Sequence, residues 1–200
     1  SFCPIAVLPK TEDEYFAGLS SRRGQRFRQD LRTLNKQGKV EHLTFSSDKI
    51  ETALNDFFIL YTEKAGWTGK DLHRLISCFV DKKGPESVQI DFMTTDAGCY
   101  IGGLLHLRFH NTLYMYLMAI DKTYNSKVSI GNVLVGLCII NAIRSGIAVY
   151  DFLKGVEDYK FHWTNNGKAS RSVIIPQKKP MPILLTLWDM AKSAGKLIMR

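Results

Sequence analysis

Asp151 stands inside an apolar run, Tyr150-Asp151-Phe152-Leu153, and is followed closely by Lys154, Gly155, Glu157, Lys160 and Trp163. Burying a carboxylate is costly unless it is paired. Two readings follow. Asp151 is a positioned proton acceptor or substrate clamp, or it locks the next turn by accepting backbone N–H bonds. Lys154 and Lys160 are its candidate partners. A second stretch, Lys127-Val128-Ser129-Ile130-Gly131-Asn132, precedes an apolar helical pattern. Free N–H groups at a helix N-terminus bind phosphate. Gly131 lets a ligand approach the backbone, and Lys127 adds charge. The plainer reading makes Ser129 a simple N-cap.

The third candidate is basic. Between Arg22 and Lys39 stand seven bases (Arg22, Arg23, Arg26, Arg28, Arg32, Lys36, Lys39) and one acid, Asp30. That is a local charge of +6 within a chain total of +8, so the remainder is nearly neutral. Concentrated charge speaks about a partner, whereas a diffuse surplus speaks about solubility. A phosphorylated ligand, tRNA or an anionic membrane surface fits such a patch. A solvated helix face is the alternative.

These residues need a scaffold. The 200 residues are 45% hydrophobic and 23% charged, which argues for a globular chain and against a disordered one. No apolar run reaches the roughly 18 residues that span a bilayer. The sequence as given opens on no signal-peptide pattern, and its first residue is not Met, as in a processed or partial chain. Cys3, Cys78, Cys99 and Cys138 form no CxxC pair, so free thiols in a reducing, cytoplasmic setting are expected. His106 and His110 are four apart, but on strand and turn, so no metal is expected there.

Periodicity places the elements. Ser20–Gln37 reads as a helix with Phe27, Leu31 and Leu34 on one face, stopped by Gly38. Lys39–Phe45 reads as a strand. Asp48 and Glu51 resemble a capping box before a helix carrying Ile50, Ala53, Leu54, Phe57 and Tyr61. After a turn near residues 66–69, Leu72, Leu75, Ile76, Phe79 and Val80 mark another helix, ended by Gly84-Pro85. Val88, Ile90 and Phe92 then alternate with polar residues. With Tyr100–Phe109 and Leu113–Ile120 they predict a three-stranded antiparallel meander. Ile130–Arg144 is apolar nearly all round and reads as a buried helix. Ile147–Leu153 follows as a strand parallel to its neighbour. A short helical stretch near Glu157–Thr164, a strand at Arg171–Pro176 and a helix at Leu184–Leu197 complete the reading. The expected fold is α/β: a mixed sheet, antiparallel meander then parallel strand after a crossover helix, flanked by helices. Where the parallel strand joins, the sheet opens beside the N-terminus of the crossover helix.

The run Tyr150-Asp151-Phe152-Leu153-Lys154-Gly155, with Glu157, Tyr159-Lys160 and Trp163, resembles the C-terminal signature of a GNAT-type acyltransferase family of cellulose and exopolysaccharide biosynthesis. That family is related to the Fem-type aminoacyl transferases. The segment Leu19–Arg28 is similar to its arginine-rich opening helix. The resemblance spans about Leu19–Trp163. It implies one GNAT-like domain over residues 1–200, or one half of a longer tandem protein. It also implies acetyl-CoA or another acyl-CoA as co-substrate, with its pyrophosphate on Lys127–Asn132. The common GNAT phosphate loop carries an Arg or Gln and two close glycines; here only Gly131 remains. Fem-type relatives take aminoacyl-tRNA instead.

The implied reaction is attack of an amine, such as an amino sugar, on a thioester. The enzyme must accept the amine proton, stabilise the oxyanion and protonate the thiolate. Asp151 or Glu157 would take the proton, a backbone N–H in Leu117–Ile120 would bind the acyl oxygen, and Tyr124 or Tyr116 would protonate sulfur. Arg22, Arg26, Lys154, Lys160 and Trp163 would contact substrate. A second GNAT-like half or a second copy is a candidate partner. A non-catalytic nucleic-acid or anionic-surface module is the contrasting reading.

Overall fold

The computed structural model describes residues 2–65, 70–124 and 127–170. The chain divides into a unit over Ser1–Ala169 and a second over Ser170–Arg200. Every element below lies in the first.

In chain order these are β1 (Phe2–Val7), α1 (Glu12–Gly18), α2 (Ser21–Gln37), β2 (Val40–Phe45), α3 (Ile50–Ala65), α4 (Lys70–Lys83), β3 (Val88–Thr95), β4 (Tyr100–Phe109), β5 (Thr112–Ile120), α5 (Ile130–Arg144), β6 (Val149–Asp151) and β7 (Gly167–Ala169). The strands form one sheet in the order β2-β3-β4-β5-β6-β1-β7. The meander β3-β4-β5 is antiparallel, with β2 antiparallel on its outer edge. β5 and β6 are parallel, as a crossover through α5 requires. The expected mixed sheet is present.

β1, α1 and β7 were not expected from the sequence. β1 pairs antiparallel with both β6 and β7 and so extends the sheet beyond the crossover strand. Its alternation is broken by Pro4 and its run is short, which hides it from periodicity. Asp48 does not cap α3. It lies in a one-turn 3-10 helix, Ser47–Lys49, and α3 begins at Ile50. The helical stretch expected near Glu157–Thr164 contracts to a 3-10 turn, Lys160–His162. The turn at 66–69, the Arg171–Pro176 strand and the Leu184–Leu197 helix lie outside the described residues.

Two cores flank the sheet. Phe27 and Leu34 of α2, Val133, Leu134, Cys138 and Ile139 of α5, and Leu104, Leu113 and Tyr150 form one. Phe57 and Leu60 of α3, Ile76 of α4, and Ile90, Phe92 and Leu105 form the other. At Gly136 of α5 the Phe27 ring of α2 and the Trp163 ring pack close against the helix. A Cβ there would overlap the rings of Phe27 and Trp163.

Two irregularities shape the centre. Leu105 faces Leu117 while His106 faces Met115, so Tyr116 has no partner in β4. It is a bulged residue. β6 pairs with β5 only over Thr112–Tyr114, and β5 runs on to Ile120 without it. The sheet therefore opens along the second half of β5, on the side that faces β6.

Candidate active site

A cavity of about 600 Å³ lies at the N-terminus of α5. Three segments build it: the start of α2 (Ser20, Arg22, Arg23, Arg26, Asp30), the start of α5 (Ser129, Asn132) and the turn after β6 (Tyr159, His162, Trp163). All three were candidates in the sequence, and the fold brings them together.

Each wall has a local cause. Ser129 does cap α5: its Oγ accepts from the Asn132 N–H at 3.3 Å. The apolar neighbours Val128 and Ile130 are buried and hold the loop down. Asn132 is fixed from the other side, because Trp163 Nε1 donates to its Oδ1 at 3.0 Å. Trp163 is 2% exposed and meets the Phe27 ring edge-on at 5.5 Å. That contact joins α2, α5 and the turn. Arg26 pairs at 3.0 Å with Asp30, which is itself buried, and Arg23 donates to Asn165 Oδ1 at 2.9 Å. Arg22, Arg26, Arg28, Arg32 and Lys36 are exposed. Three guanidinium groups and the positive end of a 15-residue helix thus face one space. An anion, and phosphate above all, fits it. Lys127 and Gly131 belong to the same loop without lining the cavity.

The carboxylates are differently placed. Asp151 is fully buried. Its Oδ1 accepts the Leu153 N–H at 2.8 Å, and its Oδ2 pairs with Lys168 Nζ at 2.5 Å. It therefore does lock the turn, where Leu153 adopts φ +57. Its cation comes from β7, a strand too short for periodicity to show, and not from Lys154 or Lys160. Lys160 is 4% exposed; it pairs with Glu157 at 2.9 Å and donates to the Lys154 carbonyl at 3.1 Å. Glu157 is exposed, and the hydrogen bond from Lys160 holds its carboxyl below the usual carboxylate range. Burial pushes the Tyr159 phenol up to about 12, with a smaller push from Glu157.

The two tyrosines do not share the arginine cavity. Tyr116 lines a second cavity of about 890 Å³ with Tyr114, Phe79, Leu107, Phe109 and Leu153. Tyr124 lines a third, with Asp121 and Tyr100. Arg23, Tyr159 and His162 also line the cavity, beyond the residues expected to contact ligand. The charge cluster and the run ending in Trp163 were the signals that contained them. His110 lies at the β4–β5 turn on the second cavity, whereas His106 is fully buried in the sheet, so the pair makes no common site.

Residues 20–161 match the family described as the acetyltransferase (GNAT) domain. No curated protein matches the chain. Among solved structures, FemX superposes with a TM-score of 0.56 at 13% identity, covering 82% of this chain and 57% of that one. L-PGS from Bacillus licheniformis gives 0.52 at 12% identity, covering 76% and 46%. A conserved protein of unknown function from Bacteroides thetaiotaomicron gives 0.53 at 12%, covering 81% and 55%. The chain spans about half the length of these structures, and at such identities the likeness is one of fold. The family match covers well over half the chain and agrees with the mixed sheet, the crossover helix and the opening beside it. The chain belongs to the GNAT acetyltransferase domain family.

Proposed function

We propose that the protein is an N-acyltransferase whose donor is an acyl-CoA, with the donor phosphates in the cavity between α2 and α5. The observation that carries this reading is the convergence of Arg22, Arg23 and Arg26 on the capped N-terminus of α5. From there the acyl chain would run into the opening between β5 and β6. The Tyr116 bulge lies along that opening, and the backbone groups it releases from the ladder are the proposed donors to the acyl oxygen. The second cavity, apolar and aromatic with Lys83 and Arg108 at its wall, would take the amine acceptor. Tyr116 lines that cavity and is the better-placed proton donor to the leaving thiolate. Asp151, engaged on both oxygens, would act as an electrostatic anchor for the turn. Glu157 is exposed but held low by Lys160, which makes it a weak base. The acceptor class we propose is an amino sugar or similar amine of a surface-polysaccharide or cell-envelope pathway.

A second reading replaces acyl-CoA by aminoacyl-tRNA. The basic face of α2 favours it, since Arg28, Arg32 and Lys36 continue the charge beyond the cavity. The resemblance to Fem-type transferases points the same way. Thermal unfolding with acetyl-CoA, longer acyl-CoAs, free CoA and tRNA separates the two. A ligand at about 100 times its Kd stabilises by roughly 2.7 kcal/mol. A rise with acyl-CoA that Arg22→Ala/Arg26→Ala removes is expected. A rise with tRNA alone would replace the first reading by the second.

A further inference from the structure

A group of ligating side chains lies under α5, away from the arginine cavity. His42 of β2, Asp91 of β3 and Cys138 of α5 present Nε2, Oδ1 and Sγ, all within 4.8 Å of one another. Cys138 is six residues along α5 from Asn132, about 9 Å by helix rise. Asp91 and Cys138 are fully buried, and the His42 side chain is 17% exposed.

The contacts bring three ligating atoms close together. His42 Nε2 is 3.0 Å from Asp91 Oδ1 and 3.9 Å from Cys138 Sγ. A single ring nitrogen cannot direct one N–H at both. For a tetrahedral ion with bonds of about 2.0 Å to nitrogen and oxygen and about 2.3 Å to sulfur, N···O is about 3.3 Å and N···S about 3.5 Å. The observed 3.0 and 3.9 Å each lie within about 0.4 Å of those separations.

An outer ring of hydrogen bonds steadies the carboxylate. Thr44 Oγ1 donates to Asp91 Oδ1 at 2.7 Å, and Gln89 Nε2 donates to Oδ2 at 2.8 Å. His106 Nδ1 stands 3.1 Å from Oδ2, and its Nε2 meets the Tyr150 hydroxyl at 2.8 Å. The Nδ1 contact is close but misaligned. It is the one buried side-chain nitrogen or oxygen among the described residues without an aligned hydrogen bond. Oriented partners behind a ligand are the usual support of a metal site. Exposed Thr44, which accepts from Asn141 Nδ2 at 3.1 Å, marks the solvent side.

We propose that His42, Asp91 and Cys138 bind one transition-metal ion of the zinc class, with water as fourth ligand. Imidazole, carboxylate and thiolate together suit zinc or cobalt and do not suit magnesium or calcium, which take oxygen ligands. The ion would tie the edge strand β2 to β3 and to α5.

The test uses the tag-free full chain, stripped with a chelator and then titrated with Zn²⁺ alone or Co²⁺ alone. One equivalent of Zn²⁺ should bind tightly enough to compete with a micromolar chromophoric chelator and should raise Tm. Co²⁺ should give tetrahedral visible bands and a thiolate charge-transfer band. Cys138→Ser should remove that band, and His42→Gln should weaken Zn²⁺ binding at least tenfold. His42 is on an edge strand and partly exposed, so its variant remains testable if the Cys138 variant does not fold. Absence of one-to-one binding to the folded wild type overturns the proposal. So does a charge-transfer band retained in Cys138→Ser, which would point to exposed Cys78 or Cys99, or Zn²⁺ affinity unchanged in His42→Gln.

Discussion

Lys168 should be worth far more than an ordinary surface lysine. It is the only cation paired with Asp151 among the described residues, and the Asp151 side chain is 1% exposed while that of Lys168 is 53% exposed. An exposed ion pair contributes about 0–1 kcal/mol. Removing one member of a wholly buried pair costs about 3–5 kcal/mol, because the other charge is left without a partner. This pair is buried at one end only, so Lys168→Met should cost about 2 kcal/mol, between those limits. The Leu153 N–H remains on the other carboxylate oxygen at 2.8 Å and limits the loss. For a domain of this size the change corresponds to roughly 4–8 °C in Tm. The assay is urea unfolding of the wild type, Lys168→Met, Asp151→Asn and the double variant. The double variant should be more stable than the two single losses summed, since it leaves no unpaired charge. The pairing also raises the Lys168 ammonium above its ordinary value, chiefly through the hydrogen bond it donates to Asp151. That contribution is therefore present at neutral pH and fades only as strongly alkaline pH deprotonates the lysine. A Lys168→Met cost below about 0.5 kcal/mol would refute the reasoning and return Asp151 to the pool of free carboxylates.

Other expectations follow from single contacts. Gly136→Ala should cost about 1–3 kcal/mol by overpacking, because its methyl meets the Phe27 and Trp163 rings; calorimetry on the folded variant measures it. Trp163→Phe should keep the ring packing but free Asn132 Oδ1, lowering stability by about 1 kcal/mol and loosening donor binding. Replacing Arg22 and Arg26 together by Ala should weaken a phosphate-bearing donor at least tenfold and flatten the salt dependence of its Kd. The Thr123 hydroxyl, with Lys64 and the Thr123 N–H, brings the Asp121 carboxyl down to about 2. Its stabilising effect is thus complete above about pH 4 and is lost as pH falls through about 2. Asp121→Asn should remove that part of the acid transition.

What the sequence displayed was mostly what periodicity and charge display. The meander, the crossover and the burial of α5 follow from apolar spacing, and the arginine cluster and the loop before α5 were visible as charge and as a capped helix start. Their meeting in one cavity depended on Trp163, whose indole is both a core ring against Phe27 and a donor to Asn132. Spacing cannot reveal that double role. Lys168 was invisible as the partner of Asp151 because it sits on a three-residue strand that exists only through pairing with β1. The most instructive case is β3. Val88, Ile90 and Phe92 alternate with Gln89, Asp91 and Met93, which reads as an ordinary strand with one polar face. Alternation records which residues share a face; it does not say what covers that face. Here α5 covers it, so Gln89 and Asp91 are buried and must find partners within the protein. Those partners are His42 and Thr44 from β2 and His106 from β4. A polar residue beneath an almost wholly apolar helix is a demand for a hydrogen-bonding or ligating set, and the pairing register of β2 and β4 is what supplies it.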